Sequence, residues 1–398
     1  MNFKGLKIGV PKEIMKGEAR VSATPETVKK IVSEGGKVFI EKGAGEGAFF
    51  LDEDYEAAGG EIINDCEKIF AQADIILKVK EPQFNENKGK HETEMMQPGQ
   101  CLITFIHPAN PENHQMVKDI AEKGVVALTL DGIPRISRAQ AMDALTSMST
   151  VAGYKSVLIA ANKAGKFMPM VGTAVGMLKP ANILVIGTGV AGLQAVATAK
   201  RLGAVVTAAD IRPAAQEQAT SLGAKNHDLG VPEDVAVGQG GYANKISEEW
   251  LKKERELLKE KVASSDIVIL TALIPGALAP LLVTEEMVKS MAPGSVIVDV
   301  AIDQGGNCEV TAPGKIITKY GVTIDGTKNI PGMMPTTATR LLSNNIYNYL
   351  KNLVAEGKVN INEEDEIIKS SLVTRDKKIV HAGTLEAMND VELKEKGA

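Results

Sequence analysis

The chain has 398 residues, 44% of them hydrophobic, which is enough for two or three domains with their own cores and excludes disordered or fibrous classes. Its 45 Lys and Arg against 50 Asp and Glu leave a net charge of −5, and with aromatics at 4% this disfavours nucleic acid as a partner. Three widely spaced cysteines, Cys66, Cys101 and Cys308, indicate neither a disulfide framework nor a zinc site, so a reduced, intracellular protein without a metal is expected.

The start, MNFKGLKIGVPKEIMKGEARV, lacks the unbroken apolar stretch and small-residue cleavage site of a signal peptide. Val/Ile-rich runs at residues 6–10, 37–40, 74–80, 100–107 and 124–130 alternate with helical segments at 24–35 and 113–123, which predicts a parallel α/β unit. Next, Met142, Leu145, Met148, Val151, Tyr154 and Leu158 recur every three or four residues and predict a long bridging helix with one apolar face. A second α/β series follows at 182–186, 205–210, 267–270, 295–300 and 322–325. Within it, residues 225–245 carry four glycines and few large apolar groups, and read as a long mobile excursion of the kind that forms lids. After Pro335, the spacing of Leu342, Ile346, Tyr349 and Leu353 predicts a second bridging helix that returns the chain to the first domain, where the tail from Asn360 packs. The acidic run 363–366 reads as a solvated turn, and no run of eighteen apolar residues offers a membrane span. The expected fold is thus α/β, with two Rossmann-like doubly wound domains, residues 1–141 with 335–398 and residues 142–334, joined by long bridging helices.

The most specific stretch is NILVIGTGVAGLQAVATAKRLGAVVTAAD. Gly187 permits the strand-to-helix turn, Gly189 lets backbone approach a pyrophosphate, Gly192 lets the helix pack close, and the helix N-terminus from Val190 offers free amides to phosphate. Asp210, 18 positions beyond Gly192, ends the next strand and is placed to accept the adenosine ribose hydroxyls, which favours NAD(H) over NADP(H). Arg212 is placed to reach a 2′-phosphate, the pyrophosphate or solvent.

GVPKE, GEARVSATP, EKGAGEGA, GTGVAGLQAVATAKRLGA, TALIPG and GGNCEV together resemble one superfamily, that of alanine dehydrogenase and the soluble NAD(H)-binding part of the proton-translocating NAD(P) transhydrogenase alpha subunit. The resemblance spans nearly the whole chain and implies cofactor in the cleft between the two domains. PRISRAQAMDALTSMSTVAGYKSV, GGYA from Gly240, the insert SEEWLKKERELLKEK and the tail EDEIIKSSLVTRDKKIVHAGT resemble the transhydrogenase branch. That branch implies Arg135, Gln140 and Asp143 as the groups that orient the nicotinamide. Ile136, Ser137, Val190, Ile211, Gly241, Tyr242 and Leu273 would line the rest of the cofactor. It further implies NADP(H) on a partner subunit, membrane partner subunits coupling hydride transfer to protons, a homodimer, and a position at the inner face of the cell membrane.

Arg20, Lys80, His107 and Asp303 instead match the substrate positions of alanine dehydrogenases. There, Arg20 and Lys80 would clamp a carboxylate, His107 act as acid/base and Asp303 hold an amino group. The alternative for these residues is structural polarity, with Arg20 and Lys80 paired to carboxylates such as Glu13 or Asp303. A non-catalytic module that only senses NADH is the third reading.

Overall fold

The structure, a computed structural model, describes residues 2–238, 241–274 and 278–396. The chain divides into two compact units, Met1–Met148 with Met334–Ala398, and Ser149–Met333.

In the first unit, strands Lys7–Val10, Lys37–Glu41 and Glu61–Ile63 run outward on one side of the sheet, and Ile75–Leu77, Cys101–Thr104 and Val126–Thr129 on the other, all parallel. The connection reverses between Lys7–Val10 and Ile75–Leu77, so the loops after these two strands flank the topological switch point, where ligands of such sheets bind. The tail adds Leu372–Arg375 and Lys378–Ile379 antiparallel at the outer edge, beside Val126–Thr129. Asp365 makes the acidic run more than a solvated turn. It caps the helix Glu366–Ser371 through the Ile367 amide at 2.9 Å, and its bonds to Arg138 and Asn352 hold its carboxyl down to about 2.

Among the described residues, the main sheet of the second unit has seven strands, in the order Lys225–Asn226, Val205–Ala209, Asn182–Ile186, Ile267–Leu270, Val296–Asp299, Val322–Asp325 and Ile316–Lys319, only the last antiparallel. Its central strands are covered on both faces: Ile183 and Val185 enter one core layer, Leu184 and Ile186 the other.

The helix Ala144–Lys163 forms where the periodicity predicts it, and Met148 and Val151 of the predicted stripe are buried, but the rest of the buried face differs. Leu145 and Tyr154 are 38% and 37% exposed, while Ala152, Val157, Ile159 and Ala160 enter the second unit's core. Small residues win because they allow close approach: a Cβ on Gly153 would lie 2.0 Å from the Ala191 carbonyl oxygen. The helix Pro335–Leu353 belongs wholly to the first unit. Within residues 225–245, of which 239–240 lie outside the described residues, the chain forms the strand Lys225–Asn226, the helical turn Glu233–Ala236 and a bridge between Val237 and Ala243, with Leu229 anchored in the core. Sequence periodicity also misses the hairpin Val171–Thr173/Gly176–Leu178, whose GTAVGM core has too few large apolar side chains to mark it as strand.

Candidate functional site

In the second unit, strand Asn182–Ile186 runs into Gly187, where a φ of +84° and the Ala272 nitrogen, which would lie 2.7 Å from a Cβ, admit no side chain. Gly189 then caps the helix Val190–Arg201 without any side-chain bond, and a Cβ on it would meet nothing within 4 Å. Backbone amides with a helix dipole behind them thus face open space, the arrangement that receives a pyrophosphate. Gly192 is the opposite case, because its Cβ would lie 1.9 Å from the Gly187 carbonyl oxygen. These glycines fit a dinucleotide.

Asp210 stands at the end of the adjacent strand with 6% of its surface exposed. Its Oδ2 accepts from the Thr188 amide at 2.6 Å, and its Oδ1 from the Arg212 amide at 2.9 Å. The Arg212 guanidinium grips both oxygens, Nε to Oδ1 and Nη2 to Oδ2, each at 2.9 Å, and its Nη1 donates to the Gly241 carbonyl at 3.3 Å. The Arg212 side chain thus folds back on Asp210. Ile211 packs on the core, and Tyr242 accepts at its carbonyl from Gly238 at 2.8 Å. Leu273, 40% exposed, follows the Ala272 that crowds Gly187; Gly240 lies outside the described residues.

Four further residues build this site, each inside a stretch quoted above but none singled out within it. Thr271 Oγ1 donates to the Gly187 carbonyl at 2.7 Å and Thr188 holds Asp210. Asn307 ties down Ala272, accepting from its amide at 3.0 Å and donating to its carbonyl at 2.9 Å. Glu254 lies buried on the helix Glu248–Ala263, where desolvation and the charge of Asp210 push its carboxyl up to about 7. Thr188 and Asn307 sit inside the very motifs GTGVAG and GGNCEV, whereas Glu254 lies 44 residues from Asp210 and only the fold brings it near.

In the first unit, Arg135, Ser137 and Gln140 are exposed on and beside the short helix Ser137–Met142, with Ile136 half-buried before it. Asp143 follows, and both its carboxylate oxygens serve Thr146, at 2.8 Å to the amide and 2.6 Å to the hydroxyl, so it caps the long helix. Arg20 is buried and paired bidentately with Glu18, Nε to Oε1 at 2.8 Å and Nη2 to Oε2 at 2.6 Å. The sequence suggests Glu13 or Asp303 as its partner; chain proximity gives the arginine to Glu18 instead. Glu13 is taken by Lys78 at 3.2 Å rather than by Lys80; Lys78, just past the strand Ile75–Leu77, is fully buried, and Glu92 also meets it at 3.0 Å. Lys80 makes no ion pair among the described residues, and its carbonyl accepts from Thr104 Oγ1 at 2.8 Å. Asp303 belongs to the second unit, exposed, accepting from the Asn329 amide at 3.2 Å.

His107 has a left-handed backbone, φ +48°, and its Nδ1 lies 2.8 Å from Asp131 Oδ1. Desolvation opposes its charging, but the Asp131 carboxylate outweighs it and raises the imidazole above its usual 6.5; Asp131, despite burial, is held below 3.8. The histidine's share of this stability is therefore present at acid pH and lost as pH rises through the raised value. The aspartate's share is lost only as pH falls below its own lowered value. Asp131→Asn brings the His107 ring titration, followed by NMR, back down toward or below 6.5; an unmoved midpoint would refute the pair's role. His114 is buried, with its Nε2 unbonded.

Residues 9–152 match the family model described as alanine dehydrogenase/PNT, N-terminal domain, and residues 156–382 match the C-terminal domain model of the same description. In Rhodospirillum rubrum, the first of the chains named for the NAD(P) transhydrogenase subunit alpha is 43% identical over 381 residues, covering 94% of this chain and 98% of that one. An alanine dehydrogenase of Methanococcus maripaludis is 35% identical over 388 residues, 96% of each chain. Among solved structures, that of a transhydrogenase from Sinorhizobium meliloti superposes with a TM-score of 0.82 at 40% identity, covering 94% of this chain and all of the other.

Proposed function

The chain belongs to the alanine dehydrogenase/PNT family, and on that premise we propose that it is the NAD(H)-binding alpha subunit of a proton-translocating NAD(P) transhydrogenase. The observation that carries the reading is the glycine turn at Gly187–Gly192 joined to Asp210, set beside the higher identity to a transhydrogenase subunit than to an alanine dehydrogenase, 43% against 35%.

Bound NADH supplies the hydride, which passes to NADP held by a partner subunit. The chain's own task is positional, because hydride transfer between two nicotinamides needs no acid or base, only contact in a water-poor site. Residues 142–334 carry the cofactor. The amides from Val190 to Gly192 hold the pyrophosphate, Asp210 takes the ribose hydroxyls, and Ile211 and Leu273 shed water. Arg135, Gln140 and Asp143, with Ile136, Ser137, Gly241 and Tyr242, are assigned to the nicotinamide side from the family resemblance. Among the described residues no helix is long and apolar enough to cross a membrane; from the family resemblance, coupling to protons is assigned to membrane partner subunits, with this chain peripheral at the inner face. A second copy is the fitting cover for the hairpin Val171–Leu178, where Val175 is 96% and Met177 68% exposed.

His107 favours a second reading, alanine dehydrogenase, since its Asp131 partner makes it a competent acid/base near neutral pH. A substrate carboxylate would first have to displace Glu18 from Arg20. One experiment separates the two. The purified chain, sedimenting as a dimer, is expected to bind NADH, to form no NADH from NAD and L-alanine, and to reduce NADP once an NADP-binding partner is added. Alanine-dependent turnover that vanishes in Asp303→Asn would sink the transhydrogenase reading; binding with no transfer to any acceptor would leave a sensing module.

A further inference from the structure

Resting on the NAD(H)-binding reading above, we propose that the Arg212 side chain is a built-in placeholder for the adenosine ribose diol, which must displace it to reach Asp210. A carboxylate offers about four lone-pair positions. Asp210 already receives five donors: the Thr188 and Arg212 amides, the Thr188 hydroxyl at 3.2 Å, and Nε and Nη2 of Arg212. The Thr188 hydroxyl also lies 3.2 Å from the Ala215 carbonyl, to which it can give its one proton instead. Even then four donors fill the carboxylate.

The two amides are fixed by the turn and the strand end and cannot leave. The guanidinium can, and it contributes one donor to each oxygen, which is what two vicinal hydroxyls require. Fork and diol therefore compete for the same two places. Displacement has a second effect, because Nη1 of the same guanidinium holds the Gly241 carbonyl. Seating the ribose breaks this one tie between the strand end and the Gly241 carbonyl, next to Tyr242. The Asp210 carboxylate that Arg212 leaves open accepts neutral hydroxyls and repels a 2′-phosphate.

The test is binding of NADH and NADPH to the full chain and to its Arg212→Ala and Arg212→Gln variants, by fluorescence titration and stopped flow. Arg212→Ala is expected to bind NADH roughly tenfold tighter, mostly through faster association, since no internal pair has to be broken first. Arg212→Gln, with one donor left, falls between and serves if the alanine variant folds poorly. In both variants the Tyr242 ring resonances move, without NADH, toward their positions in the NADH-bound wild type. NADPH stays weak throughout. Unchanged or weaker NADH binding in the variants would overturn the proposal, weaker binding meaning that Arg212 holds the dinucleotide itself. A wild-type chain that binds no NADH would remove the underlying reading as well, an outcome distinct from failure of the variants.

Discussion

Replacing Lys78 by methionine lowers the stability of the first unit by about 3–5 kcal/mol, the cost of stripping a buried ion cluster of its only cation. Lys78 is completely buried between Glu13 and Glu92, and these groups knit three segments that meet at the sheet's switch point. Glu13 comes from the loop after the first strand and also accepts the Val79 amide at 2.6 Å. Glu92 opens the helix Glu92–Met95 and accepts the Gln83 amide at 2.9 Å. Without the ammonium, two carboxylates face each other in a dry interior.

The loss also acquires a pH signature. Burial already pushes Glu13 up to about 7 in the intact cluster against the pull of Lys78, and without Lys78 it rises further. A carboxyl whose folded pKa lies above its unfolded value binds more protons when folded, so its contribution falls as pH rises from about 4.5 through the folded value. Urea denaturation of Lys78→Met should therefore show a larger deficit at pH 8 than at pH 5.5, and adding Glu13→Gln with Glu92→Gln should restore part of it. A deficit below about 1 kcal/mol at both pH values, the size of a surface pair, would mean that the cluster does not hold these segments together.

The second large effect is on the cofactor. Gly192→Ala places a methyl where the Gly187 carbonyl oxygen stands at 1.9 Å, with the Thr271 hydroxyl at 3.0 Å behind it. The strand-to-helix turn must open, and NADH affinity is expected to fall roughly a hundredfold, with about 1–3 kcal/mol lost from overpacking. Gly189→Ala is the informative contrast. Its Cβ enters open space and its φ of −71° suits any residue, so stability stays unchanged while the methyl blocks the approach to the amides and NADH binding still drops. Calorimetric titration beside thermal unfolding separates the two. Equal affinity for wild type and Gly192→Ala would show that the turn does not carry the pyrophosphate.

Most strands and the glycine turn are legible because each is a local pattern: an apolar run such as Ile183–Val185, or glycines whose spacing follows from one turn and one helix. What sequence hides depends on pairs distant along the chain or on torsions. Lys78 and Lys80 are chemically alike, two positions apart just past the strand Ile75–Leu77, and nothing local says that Lys78 is the one whose ammonium meets Glu13 and Glu92. Arg212 is visible as a residue near Asp210, yet its folding back onto that carboxylate is a matter of side-chain rotamer. The buried face of Ala144–Lys163 is misread for a related reason. Periodicity weighs large apolar groups such as Leu145 and Tyr154, whereas close helix packing selects Gly153 and its small neighbours. The tail strand Leu372–Arg375 gives no local sign of its antiparallel partner some 245 residues earlier.

That tail strand also sets an order of events during synthesis. The second unit is one continuous stretch, Ser149–Met333, and holds every strand it needs before the last sixth of the chain exists. The first unit is split, and Val126–Thr129 remains an unprotected edge, with bare amides and carbonyls, until Leu372–Arg375 emerges and covers it. On the ribosome the domain that begins first therefore finishes last, and its open edge is the place where a nascent chain of this protein is most exposed to mispairing or to capture by a holding chaperone.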